Sequence, residues 1–301
     1  MKDDTPSKTA VLIAHFILVL GGDAYGRQFC PPGSVEATKQ LMRAARLPFW
    51  WCLWYLSNPF HAKLARWAFH NIVHPLFMQG IGIRKVYIEE VVRKFIHQRQ
   101  QQRKPSQDGQ PQRCQVVVLG AGYDTLTMRL ATEYPQVEFW EIDHPATAAV
   151  KQKALRNLGF APNIHLLSVD LAQTGFANYM RDSVDAFDPS AFTIVVMEGL
   201  TMYLSEETVR NLFADVARVS SPQSQVVFDY FGWRNGRVDN GWMTWVQERY
   251  LGLLGEPWKW GKDPQELPTF FAATTETRRW RVVSQHPRVG LENCATVELL
   301  P

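Results

Sequence analysis

Hydrophobic positions follow two different spacings along the chain, and the change lies near residue 112. Before it, apolar residues recur at helical spacing over 10–20, 35–45, 62–77 and 87–98, and no segment alternates as a half-buried strand would. After it, short apolar runs are separated by amphipathic segments, a pattern typical of a sheet that is covered by helices. The sequence therefore predicts a helical first third and an α/β remainder.

The second region consists of five strand and helix units followed by two more strand candidates. Pro145 suits the first turn of a helix, because its missing N–H is not needed there, and Ser205 suits an N-cap position. The predicted strands are 115–119, 137–142, 164–169, 192–197 and 225–230, the helices are 126–133, 145–158, 176–181 and 206–219, and the further strand candidates are 279–285 and 294–300. This order predicts a doubly wound α/β sheet.

A polar stretch over 98–113, with Pro105 and Pro111, separates the two regions and is typical of a linker or an exposed loop. We therefore predict a helical cap over 1–111, which contributes to the binding pocket, and a sheet domain over 112–301. An insertion after the fifth strand, at about 231–270, is predicted to form a lid. Its tryptophans are Trp233, Trp242, Trp245, Trp258 and Trp260.

The segment 47–56, LPFWWCLWYL, and the helix around Trp67 are unusually rich in aromatic residues. Such density is typical of a buried core, and burial is the first expectation. A hydrophobic pocket wall or a patch on a membrane surface would use the same residue types. The sequence leaves these interpretations open.

Composition narrows the class of protein. Hydrophobic residues make up 46% of the chain, which is enough for a large core, and the formal net charge is only +3 without a block of like charges. A nucleic-acid surface is therefore not expected. Cys30, Cys52, Cys114 and Cys294 lack the spacing of a zinc site and are predicted to be free thiols in the cytoplasm. The apolar run at 10–20 is too short to span a bilayer, so no stable membrane insertion is expected, and the oligomeric state stays open.

The stretch 116–143, VVVLGAGYDTLTMRLATEYPQVEFWEID, carries the strongest functional signal. A buried strand runs into Gly120 and Gly122, a helix follows, and a second strand ends on Glu141 and Asp143. Glycines let a ligand approach the backbone closely, and an acid about 20 residues further on can accept hydrogen bonds from ribose hydroxyls. This arrangement predicts an adenosine-containing cofactor.

The glycine turn also discriminates between two cofactors. A dinucleotide fingerprint needs a small residue three positions after the second glycine, where this chain has Thr125, and the acid Asp124 would repel a pyrophosphate. An acid in that place could instead attract a cationic amine or a sulfonium. The sequence thus favours S-adenosyl-L-methionine over a nicotinamide dinucleotide, and a methyltransferase over an oxidoreductase.

Ligands of such sheets lie beyond the carboxyl ends of the strands, so the residues that end each strand are candidate contacts. Asp170 and Leu171 follow the third strand, where a carboxylate could accept from an adenine amino group and a leucine could cover the ring. Glu198 follows the fourth strand, at the place of a cationic amine. Tyr203 lies five residues further on and is either a group that orients the methyl acceptor or a packed aromatic residue.

Four motifs together resemble one protein family: GAGYDT, EIDHP, VDLA and EGLTMYL, which begin at 120, 141, 169 and 198. They resemble the leucine carboxyl methyltransferase family, a branch of the class I S-adenosylmethionine-dependent methyltransferases that includes bacterial O-methyltransferases. The resemblance covers most of the chain. It implies a Rossmann-like sheet of seven strands, the last one antiparallel, but none of its motifs is specific to a substrate.

The resemblance also implies roles for individual residues. Arg84 lies in a segment like the one that carries the family's cofactor-carboxylate arginine, and would pair with the methionine carboxylate. The other candidate cofactor contacts, including both acids of the second strand, are Gly120, Gly122, Glu141, Asp143, Asp170, Leu171 and Glu198. One departure lies beside the arginine, because Lys85 follows Arg84 where the family usually has a threonine.

We therefore expect an O-methyltransferase that uses no metal, since no His, Cys or acid cluster has ligand spacing. The aromatic residues favour a bulky apolar small molecule as acceptor, of the polyketide or peptide type, methylated on a hydroxyl or a carboxyl group. Methylation of a protein C-terminal carboxylate is the alternative within the same class. A cofactor-binding module without catalysis is the alternative from another class.

Overall fold

The computed structural model describes residues 6–52, 57–72, 77–101, 113–234, 237–238, 249, 252, 257–272, 280–289 and 292–301. The strands in these residues are β1 (Cys114–Leu119), β2 (Glu138–Asp143), β3 (Ile164–Ser168), β4 (Phe192–Met197), β5 (Gln225–Phe231), β6 (Trp233–Arg234), β7 (Arg237–Val238), β8 (Trp280–Val289) and β9 (Glu292–Leu299). Seven of them form one sheet in the order β3-β2-β1-β4-β5-β9-β8, and β6 pairs with β7 in a small hairpin.

The large sheet is parallel from β3 to β5 and mixed at its other edge. Strand β1 pairs in parallel with both β2 and β4. Strand β9 is antiparallel to both β5 and β8, so within this sheet it runs against the other six strands. The topology confirms the predicted fold class, a class I methyltransferase Rossmann-like sheet whose last strand is antiparallel.

Side chains of β1 alternate between two cores, which explains why its whole run is buried. Val117 packs on one face of the sheet in a cluster with Phe213. Val116 packs on the other face in a cluster with Phe95. Because both faces are covered, the ends of the strands are the edge at which a ligand can reach the sheet.

Helices cover the sheet and form the N-terminal third. In chain order they are α1 (Lys8–Leu20), α2 (Ala24–Arg27), α3 (Ser34–Ala45), α4 (Pro59–Ile72), α5 (Phe77–Gln101), α6 (Leu126–Glu133), α7 (Pro145–Leu158), α8 (Leu171–Thr174), α9 (Phe176–Ser183), α10 (Glu206–Arg218) and α11 (Leu267–Ala272). Both predicted start signals are confirmed. Ser205 accepts a hydrogen bond from the backbone N–H of Thr208, and Pro145 is the first residue of α7. The helix expected over 87–98 is part of the longer α5.

Helix α5 joins the N-terminal region to the sheet. Its Tyr87 hydroxyl lies 2.9 Å from the hydroxyl of Ser284 and 3.1 Å from that of Thr296, on the antiparallel strands. Near its other end, Arg99 Nη2 donates to the carbonyl of Gln223 at 2.7 Å. These contacts fix the helix along the sheet, so Arg84, one turn before Tyr87, has a defined place at the strand ends.

Burial of the aromatic segments is a wrong expectation for the part that the structure describes. Trp50 and Trp51 are 42% and 68% exposed, and Trp67 on α4 is 62% exposed. The core beside them is already filled by apolar residues of α1, α3 and α7. These rings therefore lie on the surface. Residues 53–56 of the aromatic segment 47–56 are outside the described residues.

Two expectations concern residues that are partly outside the described set. Residues 102–112 of the linker are not described, so the division at 111/112 stays a prediction. Most of the lid, including Trp242 and Trp245, is also outside the described residues, whereas β6, β7 and residues 257–270 belong to its described part.

The described cysteines form no disulfide bonds, in agreement with the predicted free thiols. Cys30, Cys114 and Cys294 are free and buried, and the side chain of Cys52 is outside the described residues. Within the ranges given above, no helix is both long and apolar enough to cross a membrane.

Candidate functional site

A cavity of about 1140 Å³ opens at the carboxyl ends of β1, β2 and β4. Helix α1, the turn after β1 and the segment 200–204 contribute to its walls. Eight of the nine candidate site residues line it: Arg84, Gly120, Gly122, Asp143, Asp170, Leu171, Glu198 and Tyr203. The structure therefore brings together residues that are far apart in the sequence.

The glycine turn needs both of its glycines. Gly120 and Gly122 have φ angles of 69° and 49°, in the left-handed region that side chains disfavour. A Cβ on Gly120 would lie 3.2 Å from Leu200 Cδ1, and one on Gly122 would lie 3.1 Å from Ala10 Cβ. Helix α1 thus packs directly on the turn, with almost no space between them for a side chain.

The two acids of β2 have different surroundings. Asp143 lines the cavity and accepts hydrogen bonds from the backbone N–H groups of Gly122 and His144. Burial raises the pKa of the Asp143 carboxyl. Glu141 is 4% exposed, does not line the cavity, and pairs with Lys151 Nζ at 2.8 Å and with the Thr127 hydroxyl. The geometry thus favours Asp143 as the ribose acid, and a cofactor contact of Glu141 has no support in it.

Asp170 and Leu171 continue the cavity wall from Asp143. The backbone N–H of Val169 donates to the carbonyl of Asp143 at 3.0 Å, which holds the end of β3 beside the end of β2. Both residues that follow Val169 line the cavity. This position suits the predicted contacts with adenine, which stay predictions.

Arg84 lies at the centre of a buried ion cluster. Its Nη2 is 2.9 Å from Glu198 Oε1, and its Nη1 is 2.8 Å from Asp229 Oδ2 and 2.7 Å from Glu292 Oε2. The arginine side chain is only 5% exposed. Although burial lowers the pKa of Arg84, its acidic neighbours raise it well above the ordinary value, so the guanidinium stays charged. A further carboxylate would have to share the guanidinium with these three acids.

Lys85, the residue after Arg84, contacts the same ion cluster. Its Nζ pairs with Asp124 and lies 2.7 Å from Glu198 Oε1. Although burial raises the pKa of Asp124, the neighbouring Lys85 and Arg129 hold it below its ordinary value. Asp124 was expected to attract a cationic ligand, but the structure pairs it with Lys85 instead. Its effect on a ligand is therefore smaller than the local sequence indicates.

Asp229 shares one arginine with two other carboxylates. It is fully buried, and its second oxygen accepts from the backbone N–H of Gly199 at 2.7 Å. Burial raises the pKa of Asp229 to about 7, with Arg84 opposing and Glu292 and Glu198 adding to the rise. The carboxyl group therefore titrates near neutral pH.

This titration predicts a pH dependence of stability. The unfolded carboxyl loses its proton near pH 4, whereas the folded one keeps it up to about pH 7. Its contribution is therefore fully present below pH 4 and is lost as the pH rises through 7, with a slope of at most about 1.4 kcal/mol per pH unit. Denaturant unfolding between pH 5 and 8 should show the free energy of unfolding falling, and Asp229→Asn should remove that part of the slope. An identical slope in wild type and variant would contradict the assignment.

Tyr123 supplies a polar atom that fits a bound ligand. Its ring is 4% exposed, and its buried hydroxyl has no hydrogen-bond partner within the described part of the chain. Burial, together with the nearby Asp143, raises the pKa of this hydroxyl to about 12, so it stays protonated. Because buried polar groups are almost always paired, a hydroxyl that lines the cavity beside Asp143 fits a polar ligand there.

Tyr203 ends the 3₁₀ turn Thr201–Tyr203 and lines the cavity. It also packs against the small cluster of Met202 and Phe231. Both interpretations of this residue thus have support, and its role toward an acceptor stays a prediction.

Within the described residues, no group of three or more His, Cys, Asp or Glu side chains could hold a metal ion.

Sequence reasoning missed Lys85, Asp229 and Glu292 as members of the cluster. Lys85 carried a signal, because it replaces a threonine that the family usually has. Asp229 carried another, since it lies close to the end of β5, where strand-end reasoning applies. Glu292 had no comparable signal, because its place depends on how β9 enters the sheet.

The sheet topology and the cavity at its strand ends define a protein of the class I methyltransferase fold. The sequence model of the leucine carboxyl methyltransferase family matches residues 36–217. The chain belongs to this family, as its motifs predicted.

Similar proteins occur in mycobacteria. A protein of Mycobacterium ulcerans named "Putative S-adenosyl-L-methionine-dependent methyltransferase" is 32% identical over 125 residues, which is 40% of this chain and 40% of the relative. A protein of the same description from Mycobacterium tuberculosis is 35% identical over 114 residues, 37% of this chain and 32% of the relative. The chain thus covers less than half of the length of these relatives. Their names agree with the predicted cofactor, S-adenosyl-L-methionine.

Solved structures with similarity to the chain include two methyltransferases. The mitomycin 7-O-methyltransferase MmcR is 13% identical, with 92% of this chain and 75% of that chain covered and a TM-score of 0.45. The magnesium protoporphyrin IX methyltransferase of Synechocystis, solved with bound S-adenosylhomocysteine, is 13% identical. The match covers 79% of this chain and 94% of that chain, with a TM-score of 0.46.

Proposed function

We propose that this protein transfers the methyl group of S-adenosyl-L-methionine to a hydroxyl or carboxyl oxygen of a bulky apolar small molecule. The observation that carries the proposal is the cavity, which joins the glycine turn and the strand-end acids to apolar walls in about 1140 Å³. A pocket for one drug-sized ligand occupies about 300–1,000 Å³. The cavity therefore has room for a cofactor with an acceptor beside it.

The charges at the cavity support a cationic cofactor over a dinucleotide. The carboxyl groups of Asp124, Glu198, Asp229 and Glu292 contact the two cations of Arg84 and Lys85, and the acids outnumber these cations even while Asp229 is protonated. The surplus of acid disfavours a pyrophosphate. S-adenosyl-L-methionine has a sulfonium, an ammonium and a carboxylate, so it carries one more positive than negative charge and complements the cluster.

The chain's own residues have a limited chemical role in this reaction. The cofactor supplies an electrophilic methyl group on a sulfonium, which is already a good leaving group. The protein has to align the acceptor and exclude water. The cavity is suited to both, because its lining includes the apolar side chains of Ile13, Phe16, Leu200, Met202 and Trp258. A carboxylate acceptor needs no general base, and a hydroxyl acceptor would profit from one.

Cofactor binding is the first test of the proposal. We expect S-adenosylhomocysteine to give a binding isotherm in calorimetric titration, with the same affinity in the presence of a metal chelator. NADH serves as the control ligand, because the acids at the cavity disfavour its pyrophosphate. Binding of NADH without any heat from S-adenosylhomocysteine would disprove the cofactor assignment.

The acceptor requires a second experiment. Transfer of a labelled methyl group should be measured to apolar small molecules that carry a phenol or a carboxyl group, and to a peptide with a free C-terminal leucine. We expect product from the small molecules. Product from the peptide alone would replace the small-molecule proposal by methylation of a protein C-terminus. Tight binding of cofactor without transfer to any acceptor would favour a module without catalysis.

A further inference from the structure

Helix α4 exposes an apolar stripe on its outer face. Phe60, Leu64 and Trp67 are 69%, 52% and 62% exposed, and their spacing of four and three residues places them on one side of the helix. The opposite side is fixed to the protein at Ala62, which is fully buried and packs closely on Gly22. This helix thus exposes apolar side chains on its outer face, where an ordinary surface helix has polar ones.

Further exposed rings belong to segments that contact this helix or pack with it on α1. Tyr25 is 56% exposed, and the guanidinium of Arg66 on α4 lies 5.4 Å from the centre of its ring. Trp50 and Trp51 belong to the 3₁₀ turn Trp50–Cys52. Their segment is held on α1, where a ring nitrogen of His15 is 3.0 Å from the Pro48 carbonyl, and α1 also packs on α4. We call the six exposed residues the aromatic patch: Tyr25, Trp50, Trp51, Phe60, Leu64 and Trp67.

Acidic residues are scarce in the same region, where Asp23 is paired with Arg66 and Glu36 with Lys39. No Asp or Glu occurs between Glu36 and Glu89, a stretch that holds all of the patch except Tyr25. The lysines and arginines of this stretch up to the end of α4 are Lys39, Arg43, Arg46, Lys63 and Arg66. Lys63 is exposed on α4 beside the stripe, three positions after Phe60 and four before Trp67, and Arg43 and Arg46 are exposed at the end of α3. The patch is therefore apolar and aromatic with a basic surround.

We propose that the aromatic patch docks the protein on the surface of a membrane that contains anionic lipids. Tryptophan and tyrosine favour the boundary between headgroups and acyl chains, and a helix with one apolar face and basic residues can lie in that boundary. The acid-free stretch complements the negative surface potential of anionic headgroups. The six residues lie on folded segments of the protein, so the contact is peripheral. None of them lines the cavity, so the surface is separate from the proposed catalytic site.

Vesicle flotation tests this docking. The full chain is mixed with vesicles of phosphatidylcholine alone, or of phosphatidylcholine and phosphatidylglycerol at about 7:3, and the bound fraction is measured. We expect the partition coefficient to be at least about tenfold higher on the anionic vesicles, and to fall as the salt concentration rises.

Three variants separate the patch from a general hydrophobic effect. The double variant Leu64→Glu with Trp67→Glu should lower partition by at least about tenfold, because two apolar side chains and the local charge are lost. The matched control is Leu158→Glu, since Leu158 is 40% exposed at the end of α7 and does not belong to the patch, and it should leave partition unchanged. Lys63→Glu changes the charge of one exposed residue, so it should lower the partition on anionic vesicles and leave the partition on neutral vesicles unchanged. Circular dichroism establishes that each variant is folded.

Three outcomes would overturn the proposal. Equal and weak partition on both vesicles would mean that the patch binds no anionic lipid surface. The same loss in the Leu158→Glu control would mean that the binding is nonspecific. A dimer in solution that the double variant dissociates, without vesicle binding by either form, would mean that a second copy of the chain covers the patch.

Discussion

Replacing Arg84 by alanine is expected to lower the free energy of unfolding by about 3–5 kcal/mol, the largest effect among these predictions. The substitution leaves Asp229, which is fully buried, and its neighbours Glu198 and Glu292 without their shared cation. Carboxylates that lose their partner keep the cost of desolvation and repel one another, and Asp229 then has to take up a proton at neutral pH. Denaturant unfolding followed by circular dichroism measures the change.

Two further variants show whether the loss comes from unpaired charge. Arg84→Lys keeps the positive charge but loses the planar fork, so it should be less destabilising and should still weaken cofactor binding. Adding Asp229→Asn to Arg84→Ala removes one uncompensated acid and should restore part of the stability. If Arg84→Ala unfolds at the same denaturant concentration as the wild type, the ion cluster does not stabilise the fold in solution.

Replacing Asp143 by alanine is expected to weaken binding of S-adenosylhomocysteine by at least about tenfold. The carboxylate is expected to accept hydrogen bonds from the ribose, and bonds to a charged group contribute about 1.5–3 kcal/mol each. The structure adds a second reason, because Asp143 also accepts from the backbone N–H groups of Gly122 and His144 and thereby holds the glycine turn. Calorimetric titration gives the affinity, and thermal unfolding establishes that the sheet is intact.

The matched controls are Asp143→Asn and Glu141→Gln. The asparagine keeps an oxygen that can accept from the turn but loses the charge, so its affinity should lie between those of the wild type and Asp143→Ala. Glu141→Gln weakens the buried pair with Lys151 and should lower stability while affinity is kept. Normal binding by Asp143→Ala together with lost binding by Glu141→Gln would show that the other acid of β2 contacts the cofactor.

Most of the candidate site could be predicted because the strands were clear in the sequence. Buried apolar runs such as 192–197, bounded by turn residues, mark the parallel strands without ambiguity. In a parallel sheet the carboxyl ends lie along one edge, so Asp143, Asp170 and Glu198 had to meet once the strands were recognised. The glycine turn followed from the same logic, since glycine adopts the positive φ angles found there without steric cost.

The partners of the charged residues could not be predicted in the same way. Arg84 reaches Glu198 and Asp229 over 114 and 145 positions of sequence, and such pairs depend on the order of strands in the finished sheet. Asp124 shows the opposite error, because its charge was interpreted within the glycine turn while its partner Lys85 comes from helix α5. Local sequence patterns show which charged residue lies at the end of a strand, whereas its ion-pair partner depends on tertiary contacts.

The aromatic segments show a further limit of composition. Hydrophobic residues are buried only while interior space remains, and in this region α1, α3 and α7 already fill it. Trp51 and Trp67 therefore stay outside, although their neighbourhood has the composition of a core. The choice between core and surface depended on packing volume, which the spacing of apolar residues does not report.

The contact between α5 and the last two strands has a consequence for how the chain folds. The hydrogen bond between Tyr87 and Thr296 spans 209 positions, and Arg84 meets Glu292 on the same strand. Contacts of such high sequence separation slow folding, because a long loop has to close before they contribute. The parallel strands can therefore assemble before β8 and β9 dock, and the ion cluster matures last. During synthesis the apolar face of α5 can be covered by β1 and β4 as soon as these strands have formed, because it packs on them, whereas the polar contact of Tyr87 has to wait for β9.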